Sequence, residues 1–335
     1  MTLKKSNHSG YPARYYRKEE DLVVCELCPH CCQLTAGERG RCRARENREG
    51  ELFSLNYGEV SSLSLDPIEK KPLYHFFPGR ETLSLGTWGC NLACDFCQNW
   101  RISQGDPPVR KYKPREIIKL CQEKPQEIIS FTYSEPLIWY EFVRETAELA
   151  REENYKTVLV SNGFVNREPL EELIPFISAC NIDLKSFQDD FYQRLCQGRV
   201  GPVKQNLKRL AASGVHLEVT SLLVTGENSS PEDVGELAGF LADLNSEIPL
   251  HLSRYHPAYK SDRPATNLQV MEEAYETARS YLDYVYLGNV AGPGGRDTSC
   301  PECGSLVIKR SGFSGSSRLQ QGSCPECGRE IAGKF

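Results

Sequence analysis

The stretch GTWGCNLACDFCQNW, residues 86–100, decides the reading of this chain. It places Cys90, Cys94 and Cys97 in one short loop with the spacing Cys-x3-Cys-x2-Cys. Three thiolates cannot close the four-coordinate shell of a structural zinc ion. They suit a cubane iron–sulfur cluster in which three irons take cysteine and one iron stays open as a reaction site. Gly86 and Gly89 give the backbone freedom that a tight loop needs. The run from Thr82 to Trp88 reads as a β-strand, so the loop begins where a strand ends.

Outward from that loop, a short β-rich run followed by a helical segment recurs between about residues 82 and 290. After Thr82–Trp88 the strand candidates are Glu127–Thr132, Thr157–Ser161, Cys180–Lys185, His216–Val224 and Leu250–Tyr255, with Tyr284–Gly288 as a seventh. Amphipathic segments Ile138–Glu152, Glu168–Ile177, Val203–Ser213, Pro231–Asn245 and Asn267–Tyr281 lie between them, and Asp189 and Asp190 are placed to cap another short helix. This alternation implies a parallel sheet with right-handed crossovers. The expected fold class is α/β: a partial TIM barrel of about six β/α units over residues 81–292. A cysteine-rich segment, 1–80, precedes it, and a linker and ribbon, 293–335, follow it. Chemistry in such a barrel sits at the carboxyl ends of the strands. Glu135, Ser161 and Asn162, Asp183 and Lys185, Val224 and His256 fall at or just after successive strand candidates.

Composition narrows the function classes. The chain has 335 residues, 39% hydrophobic and 25% charged, as in a soluble globular protein. No apolar run approaches the roughly 20 residues of a membrane span, and the first 25 residues lack the apolar core of a secretory signal. The expected location is therefore the cytoplasm. A net charge of −5 and the lack of a long basic run argue against nucleic acid as a partner. The 15 cysteines point to metal ligation rather than a disulfide framework. Cys121, Cys180 and Cys196 stand alone and read as small buried hydrophobes.

Two further cysteine groups flank the central one. Cys300-x2-Cys303 and Cys324-x2-Cys327 both read CPECG, and the glycine permits the tight knuckle of a zinc ribbon. A rubredoxin-like iron site is the alternative. Cys25, Cys28, Cys32 and Cys42 are expected to close around zinc or an accessory iron–sulfur cluster, or to act as a redox-active thiol set; spacing does not separate these readings.

The triplet, with Phe96 before its last cysteine, resembles the signature of the radical S-adenosylmethionine (SAM) superfamily. CELCPHCCQLTAGERGRC (25–42), DPIEKKPLYHFFPG (66–79), FTYSEP (131–136), SNG (161–163), IDLK (182–185) and SRYHPAY (253–259) widen the match. Together they resemble the radical SAM proteins of AmmeMemoRadiSam systems, which are similar in turn to the pyruvate formate-lyase activating enzymes. The resemblance implies a 4Fe–4S cluster on Cys90, Cys94 and Cys97 that binds SAM, an electron donor such as flavodoxin or ferredoxin, and AMMECR-like and MEMO-like partners. It implies SAM contacts at Phe96, Glu135, Ser161, Asn162, Asp183, Lys185, Val224 and His256, with the Glu135 carboxylate on the SAM ammonium. Three of these contacts have a plainer reading: Glu135 as a helix-start residue, Asp183 as a partner of Lys185, His256 as a structural histidine. Val160 and Ser161 stand where the activases often carry an acidic residue and threonine, so a cation beside SAM is not implied.

The resemblance gives a reaction type, reductive cleavage of SAM to a radical that abstracts hydrogen, without a substrate. Activation of a glycyl-radical enzyme is one alternative, although no eight-cysteine insert lies between Cys97 and Glu127. A non-catalytic zinc-ribbon binding module is another.

Overall fold

The computed structural model describes residues 10–124, 126–290 and 294–335. The expected boundary between barrel and linker, at residues 292 and 293, lies outside the described residues. An eight-stranded sheet forms the centre, with strands β1 (Ser62–Pro67), β2 (Glu81–Gly86), β3 (Ile128–Phe131), β4 (Lys156–Ser161), β5 (Ala179–Asp183), β6 (His216–Leu223), β7 (Leu250–Arg254) and β8 (Val285–Gly288). Each strand lies beside its neighbour in sequence. From β2 onward all pairs are parallel; β1 runs antiparallel to β2 on one edge.

Crossovers carry helices α1 (Pro114–Glu123), α2 (Tyr140–Glu152), α3 (Arg167–Leu173), α4 (Val200–Ala211), α5 (Pro231–Leu244) and α6 (Leu268–Arg279). The seven strands expected from apolar content all form, and their helices give the partial barrel. Two elements exceed the expectation. The edge strand β1 falls within the segment 1–80, where the sequence singles out no strand, because Ser, Asp and Pro weaken its strand signal. Helix α1 begins with a proline, which suits the first helical position.

Alternation along the strands sorts side chains to two faces. Leu83, Leu85, Ile129, Phe131, Leu159, Ile182, Leu217, Val219, Leu250 and Leu252 join the main core with the helices. On the other face Ile128, Val158 and Ala179 pack against Ile68, Leu73 and Phe76. The segment between β1 and β2 therefore plugs the barrel at the amino ends of its strands.

That floor is also polar. Glu218, fully buried on β6, accepts hydrogen bonds from the backbone N–H groups of Tyr74 (3.0 Å) and His75 (2.7 Å). The imidazoles of His216 (2.9 Å) and His251 (2.6 Å) bond to the same carboxylate. Burial opposes its charge, but the two histidines hold Glu218 well below the usual carboxylate range. Strands Thr298–Ser299, Leu306–Ser311 and Ser314–Ser317 form a small sheet under this floor. Val307, Ile308 and Ile331 pack on Tyr74, Tyr284 and Tyr286. Arg310 donates to Tyr74 O at 2.6 Å, and His75 bridges Ala332 O (2.6 Å) and the Tyr286 hydroxyl (2.5 Å). At the other end of the chain Arg45 and Glu141 form a buried ion pair of 2.6 Å that ties the cysteine-rich segment to α2. Removing one partner of such a pair typically costs about 3–5 kcal/mol. No described helix is long and apolar enough to cross a membrane.

Burial lowers the His75 imidazole from its ordinary 6.5 to about 4. An unfolded chain takes up a proton between those values that the folded chain refuses, so stability is lost as pH falls through that window. The expected loss is on the order of 3 kcal/mol. Thermal unfolding between neutral pH and about pH 4 should show this decline in the wild type and a shallower one in His75→Gln. Equal slopes would remove His75 as its source.

Candidate active site

The loop after β2 is threaded closely. A Cβ on Gly86 would lie 2.9 Å from the Tyr133 ring, and one on Gly89, at φ +89°, would lie 2.6 Å from the Cys42 carbonyl. Neither position has room for a side chain. Cys94 is buried, and Cys90 and Cys97 are half-buried. Donors face the sulfurs: Leu92 N–H lies 3.4 Å and Asn162 Nδ2 3.7 Å from Cys90 Sγ, and Ser103 Oγ lies 3.3 Å from Cys97 Sγ. Cys196, read from sequence only as a buried hydrophobe, brings its thiol to Cys94.

Glu135 stands at the centre of the surrounding loops and is 1% exposed. Its Oε1 accepts from Ser161 Oγ (2.7 Å) and Leu137 N–H (2.9 Å), and its Oε2 accepts from Asn162 N–H (2.9 Å). Asn162 in turn donates to Asn91 Oδ1 at 2.9 Å, directly beside Cys90. Burial pushes the Glu135 carboxyl up to about 7, against the pull of those three donors. A carboxylate has about four acceptor positions, so three donors leave one free. Two more bonds tie this strand end to the cysteine loop: Asn99 Nδ2 to Tyr133 O (2.7 Å) and Ser134 Oγ to Thr87 O (2.8 Å).

The other expected residues divide. Lys185 donates to Asp183 at 3.0 Å, which is the plainer reading of that pair. Burial opposes the Lys185 charge, but Asp183, Cys94 and Cys196 raise its pKa well above the ordinary lysine value. Its ammonium thus lies within electrostatic reach of the cysteine loop. Phe96 is buried and packs on Phe191, with ring centroids 5.7 Å apart. Val224 is also buried; its N–H donates to Asn228 Oδ1 (2.6 Å) and its carbonyl accepts from Glu227 N–H (3.1 Å), so both backbone groups are engaged locally. His256 is exposed in the loop after β7.

Sequence reasoning missed a triad in which buried Asp66 and Lys71 of the segment 66–79 meet half-buried Tyr133. Lys71 donates to Asp66 at 2.6 Å and sits 4.3 Å from the centroid of the Tyr133 ring, while the Tyr133 hydroxyl donates to the same carboxylate. Burial works against the Asp66 charge, yet Lys70, Lys71 and Tyr133 depress its pKa. The Asp-Pro-Ile-Glu-Lys-Lys run signals charge, but only the fold brings Tyr133 to it.

The three cysteine groups differ in spacing. Cys300, Cys303, Cys324 and Cys327 have all four sulfurs within 4.8 Å of one another, with Cys300–Cys327 at 3.6 Å and Cys303–Cys324 at 3.7 Å. A tetrahedral ion with metal–sulfur bonds of about 2.3 Å requires edges near 3.8 Å. Gly304 and Gly328 take positive φ, and their N–H groups donate to Cys300 O and Cys324 O at 2.9 Å, forming two knuckles. Among the described residues no other group of three or more potential ligands reaches that spacing, so neither Cys90, Cys94 and Cys97 nor the N-terminal four form a single-ion cage. Ligand sulfurs on different irons of a cubane stand farther apart, so three separated thiols on one loop fit that cluster.

The sequence pattern of the radical SAM superfamily matches residues 85–241. An uncharacterized protein of Methanocaldococcus jannaschii is 43% identical over 305 residues, covering 89% of this chain and 91% of its own. The chain belongs to the radical SAM superfamily. The pyruvate formate-lyase 1-activating enzyme of Escherichia coli (strain K12) is 24% identical over 175 residues, 50% of this chain and 71% of that enzyme. The crystal structure of Streptococcus suis SuiB bound to S-adenosylmethionine shares the fold, with a TM-score of 0.50 at 16% identity over 66% of this chain and 53% of SuiB. Radical SAM membership implies a 4Fe–4S cluster, SAM, a substrate and a reducing partner such as flavodoxin. The protein is thus a radical SAM enzyme.

Proposed function

We propose that Cys90, Cys94 and Cys97 hold the 4Fe–4S cluster and that SAM lies over the carboxyl ends of β3 to β7. The observation that carries this is the three-cysteine loop with nitrogen donors aimed at sulfur and no single-ion geometry. When bound, cluster and SAM supply a 5′-deoxyadenosyl radical that removes a hydrogen atom from the substrate.

The chain's residues hold that chemistry in place. Glu135 joins the ends of β3 and β4 to the cysteine loop and offers its remaining acceptor position to the SAM ammonium. Asn162 supports Cys90. Lys185 adds positive charge beside Cys94, which favours anionic sulfur and a carboxylate. Asp183 and His256 face the ribose and outer end of SAM, Ser161 orients Glu135, and Phe96 and Val224 back the site by packing. The Asp66–Lys71–Tyr133 triad fixes the TYSEP loop from below.

The C-terminal four-cysteine site takes zinc, supported by its 3.6–3.7 Å sulfur pairs. In this reading residues 1–80, 81–292 and 293–335 serve as metal-bearing segment, catalytic barrel and ribbon. The enzyme works in the reducing cytoplasm, where free thiols persist. Flavodoxin or ferredoxin supplies its electrons. The motif resemblance supports a place in an AmmeMemoRadiSam system with AMMECR-like and MEMO-like partners. The likeness to the activating enzyme favours a second reading, activation of a glycyl-radical enzyme.

Anaerobically reconstituted protein should release 5′-deoxyadenosine from SAM under reduction, and the C90A/C94A/C97A variant should release none. Release by the variant at the wild-type rate would sink the assignment. Glu135→Gln puts an amide N–H₂ among three donors, a loss of about 1–3 kcal/mol for an unsatisfied buried group. It should lower both iron retention and SAM affinity, read by iron counting and SAM titration; full iron with weakened SAM would confine Glu135 to the SAM contact. Full-length protein should carry about one zinc per chain. Substituting Cys303 and Cys327 with serine should remove that zinc while SAM cleavage persists, and zinc retained in that variant would place it elsewhere.

A further inference from the structure

The N-terminal cysteines have no part in the site described so far, yet they lie against it. Cys25 ends the strand Val23–Cys25, and its N–H donates to Cys32 O at 2.9 Å. Cys28 turns the chain through Cys31 N–H to Cys28 O at 3.1 Å. Cys25, Cys28 and Cys42 are buried, Cys32 is half-buried, and all four are free thiols. The Cys42 carbonyl is the group that excludes a side chain at Gly89. Cys42 and Ala44 pack with Trp88 and Ile138, and His30 Nε2 lies 2.7 Å from Asn91 O. The set therefore touches the loop on both sides of Cys90.

Two observations define what it holds. No three of its sulfurs lie within 4.8 Å of one another, whereas the ribbon's four do. The same chain thus builds one set at the spacing of a single ion and leaves the other outside it, which suits a polynuclear cluster rather than one ion. The second observation is Arg45, 1% exposed, whose Nε has no hydrogen-bond partner. Its terminal nitrogens are spent on Glu141 and the Arg14 carbonyl, and the thiols of Cys25 and Cys42 are within electrostatic reach. A buried guanidinium N–H without an acceptor calls for an anion. Thiolates bound to iron supply one, and such hydrogen bonds also tune cluster potential.

We propose that Cys25, Cys28, Cys32 and Cys42 ligate a second iron–sulfur cluster, which relays single electrons from a flavodoxin-type donor to the cluster at Cys90, Cys94 and Cys97. The relay accepts one electron from the reduced donor and passes one on, so its own oxidation state is restored each cycle. It rests on the reading of the central triplet as cluster ligands, and iron counts separate the two.

Iron, acid-labile sulfide and zinc are counted in three full-length proteins reconstituted without oxygen. Wild type should hold about six to eight irons with about one zinc, because four cysteines accept either a two-iron or a four-iron cluster. C90A/C94A/C97A should keep only the second cluster, with an electron paramagnetic resonance signal that SAM does not perturb. C28A/C32A should keep about four irons. Reduced flavodoxin should reduce the SAM-responsive cluster in wild type but not in C28A/C32A, while dithionite reduces it in both. A wild type with about four irons and about two zinc ions overturns the second cluster, as does a C90A/C94A/C97A protein devoid of iron. The wild-type count requires no variant to fold. Flavodoxin reducing C28A/C32A as fast as wild type overturns the relay. A triple variant with the full wild-type iron would instead overturn the assignment of the central triplet.

Discussion

Glu135 is the interaction on which the catalytic end of this barrel depends. Parallel strands end in loops whose backbone donors have no ladder partner, and these loops must converge around one reacting centre. A single buried carboxylate collects Leu137, Ser161 and Asn162, and through Asn162 it reaches Asn91 and Cys90. Removing it would leave three donors from two strand ends unpaired in a dry interior. Its pKa near 7 follows from the same arrangement: neutral donors favour the anion but do not offset the loss of water.

The opposite end of the sheet uses the same residue type with the opposite electrostatic result. Glu218 is as deeply buried, but two imidazoles and two backbone N–H groups surround it, and it stays ionised. It anchors Tyr74 and His75, which in turn receive the ribbon through Arg310, Tyr286 and Ala332. The floor of the open barrel is thus closed by the segment between β1 and β2, and the cysteine-rich tail covers that floor from below. One face holds the chemistry and the other holds the fold together, as expected of parallel β/α architecture.

Cysteine occurs in three different settings along the chain, and burial and spacing separate them. Cys180 and Cys121 are fully buried side chains of the main core. The tail cysteines crowd to within 4 Å in pairs on two glycine knuckles. The central triplet and the N-terminal four stand wider, under nitrogen donors and a buried cation respectively.

The order of strands and helices, the cysteine loop and the CPECG knuckles were legible in the sequence because each rests on local spacing: periodicity, a glycine at a fixed offset, thiols a few residues apart. The glycines at 86 and 89 were legible as loop freedom, but the carbonyl of Cys42 that makes Gly89 necessary lies 47 positions away. Lys71 with Tyr133, Arg45 with Glu141, Cys94 with Cys196 and Glu218 with His251 were not legible for the same reason. A buried charge is stabilised by whichever partner the fold brings to it, and neither residue type nor spacing names that partner. The sequence by itself determined the architecture and the place of the cysteine loop at the end of the first parallel strand. Only the tertiary structure decided which carboxylates are ionised and which sulfurs stand at the spacing of one ion, because both depend on distances between segments far apart in the chain.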